Sequence, residues 1–376
     1  RRQLIGLGTD IVNDAYAVNL EDDASMQMAR AEKKLYELGT EGQIEGGPKP
    51  FVDTLTEVIQ EVSEAKKNPD GISGVSTGFR DLDNKMGGLH KSDLLILAGR
   101  PGMGKTAFAT CLAFNTARSF LEDIQKGKER KGVAFFSLEM SASQLAGRIL
   151  AMETQIASDK LRNGKITTDE FRRVVGFAAD LEKVPLFVDD TPGLTVAAIH
   201  NRCRRLKRDA SKGLGLVVID YLQLIDMSTS VYKGDMVRGL TETTRLLKIM
   251  AKDLNVPVLV LSQLSRAVEQ REDKRPLLSD LRDSGSIEQD ADIVMFVFRE
   301  HYYIKNSVPV QRQNETEDKF NDRIRKWEKS LVDLEKKAEL IIAKQRHGSL
   351  GTIDLSFEGQ FTRFGDWINP DFNGGE

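Results

Sequence analysis

Short apolar runs recur along the middle of the chain, at 93–98, 132–137, 184–189, 215–220, 256–262, 291–297 and 338–343. Each is bounded by polar or turn-forming residues and is too short for a helix, so each predicts a buried strand. The stretches between them carry apolar residues at helical spacing. This alternation predicts an α/β domain with a mainly parallel central sheet covered by helices. Two further runs, at 351–357 and 360–364 and joined by EGQ, predict a terminal antiparallel hairpin.

The ends of the chain read differently. Residues 1–18 predict one helix with Leu4, Ile5, Leu7, Ile11 and Ala15 along one side. After the polar break NLEDDAS a second helix is expected over about 23–39, with Met28, Ala31, Leu35 and Leu38 at helical spacing. Residues 40–50, TEGQIEGGPKP, form a Gly/Pro linker, and a third helix spans 51–66. The 23–39 helix has a narrow apolar stripe between two breaks. It either packs on its own domain or docks on another subunit, and spacing alone leaves both open. The stretch 301–337 is dense in charge, with a weak stripe through Phe320, Ile324, Trp327 and Leu331, and predicts a solvated helix projecting from the domain. The chain opens without Met inside a helical pattern, so a fragment is expected.

Composition narrows the class. With 376 residues, 40% hydrophobic and 30% charged, the chain suits a soluble globular protein of two or three domains. A net charge of −3 gives no global basic field, so a nucleic-acid site must be local or assembled by several subunits. Cys111 and Cys203 form no C-x-x-C pair and read as small residues in a reducing compartment. The four histidines are scattered and suggest no zinc site, and no apolar run reaches transmembrane length.

The densest chemistry lies in GRPGMGKT, residues 99–106, set between an expected strand and an expected helix. Gly99, Gly104, Lys105 and Thr106 fit the phosphate-loop pattern, with Arg100, Pro101, Gly102 and Met103 between the glycines. A loop with few bulky side chains can wrap its backbone N–H groups around a phosphate chain, and the helix N-terminus behind adds partial positive charge. Lys105 would reach the β- and γ-phosphates of ATP, and Thr106 would ligate Mg²⁺. Asp220 ends the apolar run GLVVID. It either holds Mg²⁺ through water or simply terminates the strand. Glu139 follows VAFFS and either orients and deprotonates the attacking water or is a first-turn glutamate of a helix capped by Ser137. Gln263 ends VPVLVLSQ, as a γ-phosphate sensor or an ordinary polar strand end.

Seven segments appear together in order: GRPGMGKT, FFSLEM, VDDTPGLT, VVIDYLQLI, VPVLVLSQLSR, SDLRDSGSIEQDADIV and IIAKQRHG. In this the chain resembles, over nearly its whole length, the DnaB family of bacterial replicative DNA helicases. The resemblance implies a RecA-like ATPase domain at 51–376 that assembles into a homohexameric ring. It implies ATP with Mg²⁺ between neighbouring subunits and one strand of forked DNA in the channel, tracked 5′ to 3′. By the same resemblance, 1–22 ends a helical N-terminal domain and 23–50 carries the helix that docks on the adjacent subunit. Lys105, Thr106, Glu139, Asp220 and Gln263 keep the roles above, and Arg148 matches an arginine near the nucleotide. Lys344 and Arg346, which alone would read as a solvated basic strand edge, match a pair that reaches the neighbour's γ-phosphate. LRDSGS, 281–286, matches the loop that tracks DNA phosphates, with charge from Arg282 and backbone N–H groups from Asp283 and Gly285. The family often has Glu where this chain has Asp283. Primase and a helicase loader are the implied partners, with primase contact weakened by the missing N-terminal domain, and the bacterial cytoplasm is the implied location. The stretch 301–337 is longer than the family pattern. A recombinase-like filament ATPase is the alternative enzyme. A nucleotide-gated clamp would have no need of Glu139.

Overall fold

A computed structural model of the chain describes residues 2–16, 27, 30–31, 34–35, 50–67, 71–227, 236–281, 285–313 and 315–368. Its centre is a nine-stranded sheet. The strands in chain order are β1 (Leu94–Gly99), β2 (Val133–Ser137), β3 (Leu186–Asp189), β4 (Leu216–Asp220), β5 (Val258–Gln263), β6 (Ile293–Phe298), β7 (Lys337–Gln345), β8 (Gly351–Glu358) and β9 (Arg363–Asp366). In space they run β3-β2-β4-β5-β1-β6-β7-β8-β9. The first six in that order pair in parallel, and β7, β8 and β9 continue antiparallel. Each of the seven expected strands forms, with ends shifted by at most two residues.

The strand patterns follow from what covers them. β1, β2, β4 and β6 are buried at every position, as parallel strands covered on both faces must be. Alternate residues of β1 feed two cores. Leu95 and Leu97 pack with Phe108 and Leu112 of the Lys105–Gln125 helix on one face. Leu94, Ile96 and Ala98 join the core that contains Ile199 and Cys203 of the Val196–Arg208 helix and Leu247 and Met250 of the Met236–Leu254 helix. The two cysteines are both buried and lie in different cores; burial pushes the Cys111 thiol up to about 11 and the Cys203 thiol higher still.

Three expectations change. The terminal hairpin turns over 359–362 rather than EGQ, with Phe361 N–H bonded to Glu358 O, Thr362 N–H to Gly359 O, and Thr362 at φ 51°. The charged stretch does not simply project: its Glu317–Leu334 helix folds back on the Glu300–Lys305 helix, where Trp327 Nε1 donates to Ile304 O at 2.9 Å. Its stripe is half-buried for that reason.

The third concerns the leading helices. The first helix forms over Arg2–Tyr16, but only Leu7 of its stripe is buried. Of the expected 23–39 helix, residues 27, 30, 31, 34 and 35 are helical, while Met28 and Leu38 lie outside the described residues. Lys34 stands 3.7 Å from both Asp10 and Asp14 of the first helix. The Phe51–Lys67 helix forms as expected but turns a run of apolar side chains to solvent, from Phe51 through Leu55 and Ile59 to Val62. Among the described residues, no helix is long and apolar enough to cross a membrane.

Candidate active site

β1 lies inside the sheet between β5 and β6 and delivers Gly99 to the carboxyl edge. The chain then turns through 100–104 and enters the Lys105–Gln125 helix, with Gly104 as its N-cap. Gly102 (φ 83°) and Gly104 (φ 95°) are left-handed, a conformation that a Cβ disfavours. Packing adds a second reason. A Cβ on Gly102 would meet the Tyr302 ring at 2.8 Å, one on Gly104 the Phe364 ring at 3.0 Å, and one on Gly99 the Val297 carbonyl oxygen at 3.1 Å. Met103 is sunk in the core and pins the loop, while Pro101 is exposed. Arg100 turns its side chain away from the phosphate face of the loop. Its side chain is buried beneath the loop, where Nε donates to Glu269 Oε1 at 2.8 Å and a terminal nitrogen to Leu264 O at 3.0 Å. Only its backbone is left to serve a phosphate.

Asp220 ends β4 beside this loop. It joins Tyr221 through a cis peptide bond. The Thr106 hydroxyl lies near its carboxylate, yet Oδ2 is buried with no partner. Burial pushes the carboxyl up to about 6, with Glu139 adding to it and Thr106, Lys105 and Arg148 opposing. Burial likewise draws the Lys105 ammonium down to about 8, against the pull of Asp220 and Glu139. Its Nζ stands 5.9 Å from the centre of the Tyr221 ring. A buried carboxylate oxygen without a donor is costly unless a cation or a proton meets it. With the Thr106 hydroxyl alongside and a half-buried ammonium at the loop, the residues fit a Mg²⁺–nucleotide.

Glu139 sits in the turn after β2, exposed, close enough to act electrostatically on Lys105, Asp220 and Arg148. β2 pairs with β4 so that Ser137 lies opposite Asp220, and Leu138 N–H donates to the Asp220 carbonyl at 2.8 Å. The expected cap is corrected. Ser137 is buried and its hydroxyl donates to Met140 O at 2.7 Å, so Glu139 belongs to a turn and not to a helix. The following helix, Ala142–Thr154, is capped by Ser141 and Gln144 in a capping box. Asp190, from the end of β3, accepts the Ala142 N–H at 2.7 Å. That helix carries Arg148, half-buried near Asp220 and Glu139, with burial holding its guanidinium below the ordinary arginine value.

Gln263 ends β5 directly opposite Gly99 in the register. Its backbone N–H donates to Gln223 Oε1 at 3.3 Å, while Gln223 Nε2 donates to Ser262 Oγ at 3.0 Å. Gln223 thus clamps the end of β5, a role the sequence signals only as a polar residue inside DYLQLI. Arg299 is a second residue that spacing misses. It follows β6, its guanidinium lies 3.9 Å from the Phe357 ring centre, and it donates to the Gly102 carbonyl at 3.4 Å. Burial holds it below the ordinary arginine value.

Lys344 and Arg346 do not join this cluster. β7 runs antiparallel to β6, and Lys344 pairs with Val294 near the start of β6, where Ile293 pairs with Leu95. Leu95 and Gly99 are four residues apart on β1, about 13 Å along the strand. The pair therefore sits at the sheet edge opposite the phosphate loop. Lys344 Nζ donates to the carbonyls of Glu288 and Ala291, the latter at 2.7 Å, and Arg346 donates to Gln289 O at 2.7 Å. Those carbonyls cluster at the end of the Gly285–Asp290 helix. Gly285 opens that helix and is exposed, whereas Arg282 and Asp283 lie outside the described residues.

Residues 74–366 match the DnaB-like helicase C terminal domain. The chain is 46% identical over 366 residues to the replicative DNA helicase DnaB of Rickettsia bellii, covering 97% of this chain and 72% of that protein. It is 41% identical over 364 residues to the replicative DNA helicase DnaB of Geobacillus stearothermophilus, covering 96% and 71%. Among solved structures it is similar to an ATPase domain, with a TM-score of 0.71 and 31% identity over 86% of this chain and 100% of that one. It is also similar to a DnaB-like replicative helicase studied with its interactions with primase, at TM-score 0.68 and 29% identity over 98% and 76%.

Proposed function

Given that this chain belongs to the DnaB family of replicative DNA helicases, ATP-dependent enzymes that unwind DNA, we propose that it works as a homohexameric ring on forked DNA, moving 5′ to 3′ along a single strand. The observation that carries a site shared between subunits is the split of its residues. Lys105, Thr106, Asp220 and Glu139 gather at one edge of the sheet, and Lys344 and Arg346 stand at the other. One subunit cannot bring both halves to one nucleotide. A head-to-tail contact sets the pair of one copy against the phosphate loop of the next; repeated, such contacts give a closed ring or an open filament, and membership of the replicative helicase family favours the ring.

In this reading ATP lies on the loop from Gly99 to Thr106. The Thr106 hydroxyl and the Asp220 carboxylate would hold Mg²⁺, which would supply positive charge to the phosphates. Glu139 takes a proton from a water as its oxygen attacks the γ-phosphorus and the bond to the β,γ-bridging oxygen breaks. Lys105 and Arg148 hold charge in the same subunit, and Gln263 touches the γ-phosphate. Lys344 and Arg346 stabilise the transition state from next door, where a fixed donor is worth most. Arg282, Asp283 and Gly285 hold the DNA backbone. A few such contacts repeated around a ring bind a strand without a basic chain. The partners we assign beyond DNA are primase and a helicase loader, and the setting is the bacterial cytoplasm at the fork.

For assembly, the exposed apolar run of the Phe51–Lys67 helix supports it as the helix that docks on a second copy. Six apolar side chains on one helix, each at least 45% exposed, form a larger face than a lone subunit usually leaves in water. Gln27 and Lys34 meet Asp14 and Asp10 of the first helix of their own chain, and we assign the Phe51–Lys67 helix to the docking surface together with the 23–39 helix. The Thr168–Leu181 helix, with Phe171 and Val175 exposed, is the counter-face we assign.

Strand displacement tests the activity. On forked DNA with a free 5′ tail the protein unwinds with ATP, and on duplex with only a 3′ tail it does not. ATP-dependent coating of DNA without displacement would favour the recombinase-type filament instead.

A further inference from the structure

Asp292 is a buried carboxylate outside the nucleotide cluster, immediately before β6. Three groups converge on it. The Leu94 N–H at the start of β1 donates to Oδ2 at 2.8 Å, and the Lys248 ammonium pairs with the same oxygen. Arg346 approaches Oδ1 at 3.4 Å, and the Arg346 backbone N–H donates to the Asp292 carbonyl at 3.0 Å. Arg346 is thus held at both backbone and guanidinium by one residue. The register helps to aim it. Val294 pairs with Lys344 but Met295 pairs with Ile342, so Ala343 is the extra residue of a bulge that bends the end of β7.

Other charges face the same place. Asp93, His90 and His347 line a cleft with Asp292 and Arg346. Burial and then Asp292 hold the Asp93 carboxyl above its ordinary value, while Lys248, His90 and His347 oppose. Around Lys344 and Arg346, the carbonyls of Glu288, Gln289 and Ala291 complete the cradle, and a helix C-terminus favours cations there. Thr244 Oγ1 donates to Asp290 Oδ2 at 3.0 Å and anchors that helix end to the Met236–Leu254 helix.

We propose that Asp292 is a positioning residue for hydrolysis in the adjacent subunit: it fixes the direction of Arg346 and ties it to β1, the strand that ends in this subunit's own phosphate loop. The proposal rests on the trans-acting reading of Arg346 given above. Asp292 touches no nucleotide of its own chain, because it sits at the far edge of the sheet from Gly99. It acts through another side chain, so its loss should register only when that side chain is present.

A double-mutant cycle separates this from a structural role. Hydrolysis and nucleotide affinity are measured on the assembled protein for wild type, Asp292→Asn, Arg346→Ala and the double variant. Asp292→Asn lowers kcat about ten-fold with nucleotide affinity unchanged, and it costs nothing further once Arg346 is Ala. Losses that multiply in the double variant, or wild-type turnover in Asp292→Asn, overturn the proposal while leaving the trans reading intact. Wild-type turnover in Arg346→Ala overturns the trans reading and the proposal with it. Thermal melting checks that Asp292→Asn folds. If it does not, Asp292→Glu, which keeps the charge and shifts it by one methylene, is read in the same cycle.

Discussion

At the scale of single residues, the site divides by how its members act. Glu139 is exposed and touches the others only through charge, so its removal should leave binding alone. Glu139→Gln is expected to bind a fluorescent nucleotide like wild type while phosphate release falls by about 100-fold or more. Turnover within a few-fold of wild type would remove Glu139 as the base. Gly104 is a case of geometry. Its φ of 95° and the Phe364 ring at 3.0 Å both reject a Cβ. Gly104→Ala should cost about 1–3 kcal/mol in thermal or denaturant unfolding, because a side chain in the left-handed region is strained before any contact is counted. The residues legible in the sequence are those marked by a local pattern: Lys105 and Thr106 by the spacing of the loop, and Asp220 and Glu139 by their places at the ends of apolar runs. Those it hides act across the fold. Asp190 reaches Ala142 from 48 residues away, and Gln223 meets Ser262 from 39. The anchoring of the Arg100 side chain on Glu269 and Leu264 is likewise hidden, because a position in a loop pattern does not say where its side chain goes.

At the scale of elements, the strands are legible because parallel strands buried on both faces are continuous apolar runs. The cap of the Ala142–Thr154 helix is also written in the chain, as Ser141 three residues before Gln144, but the nearer Ser137 competes for the same role. What periodicity cannot give is which amphipathic helix meets its own chain and which is left bare. In the structure Lys34 stands beside Asp10 and Asp14 of the first helix, while the Phe51–Lys67 helix leaves its apolar face exposed. Ile59 is 61% exposed in the middle of that face. Ile59→Asp should therefore break the assembly in sedimentation velocity while each ATPase domain keeps its melting transition. An unchanged oligomer mass would remove this helix from the interface.

At the scale of the whole molecule, the decisive fact is the strand order, which no local pattern contains. Placing β1 between β5 and β6, and adding β7 antiparallel to β6, puts the phosphate loop and the Lys344–Arg346 pair at opposite edges of one sheet. The account then claims that every nucleotide is hydrolysed by two subunits. Mixing Arg346→Ala subunits with Lys105→Ala subunits tests that most directly. Each variant alone hydrolyses ATP far more slowly than wild type. One class of mixed interface joins the intact phosphate loop of an Arg346→Ala subunit to the intact arginine of a Lys105→Ala subunit. With subunit exchange verified by mass, the account predicts that ATP hydrolysis returns on mixing. Exchange without any return of hydrolysis would contradict it.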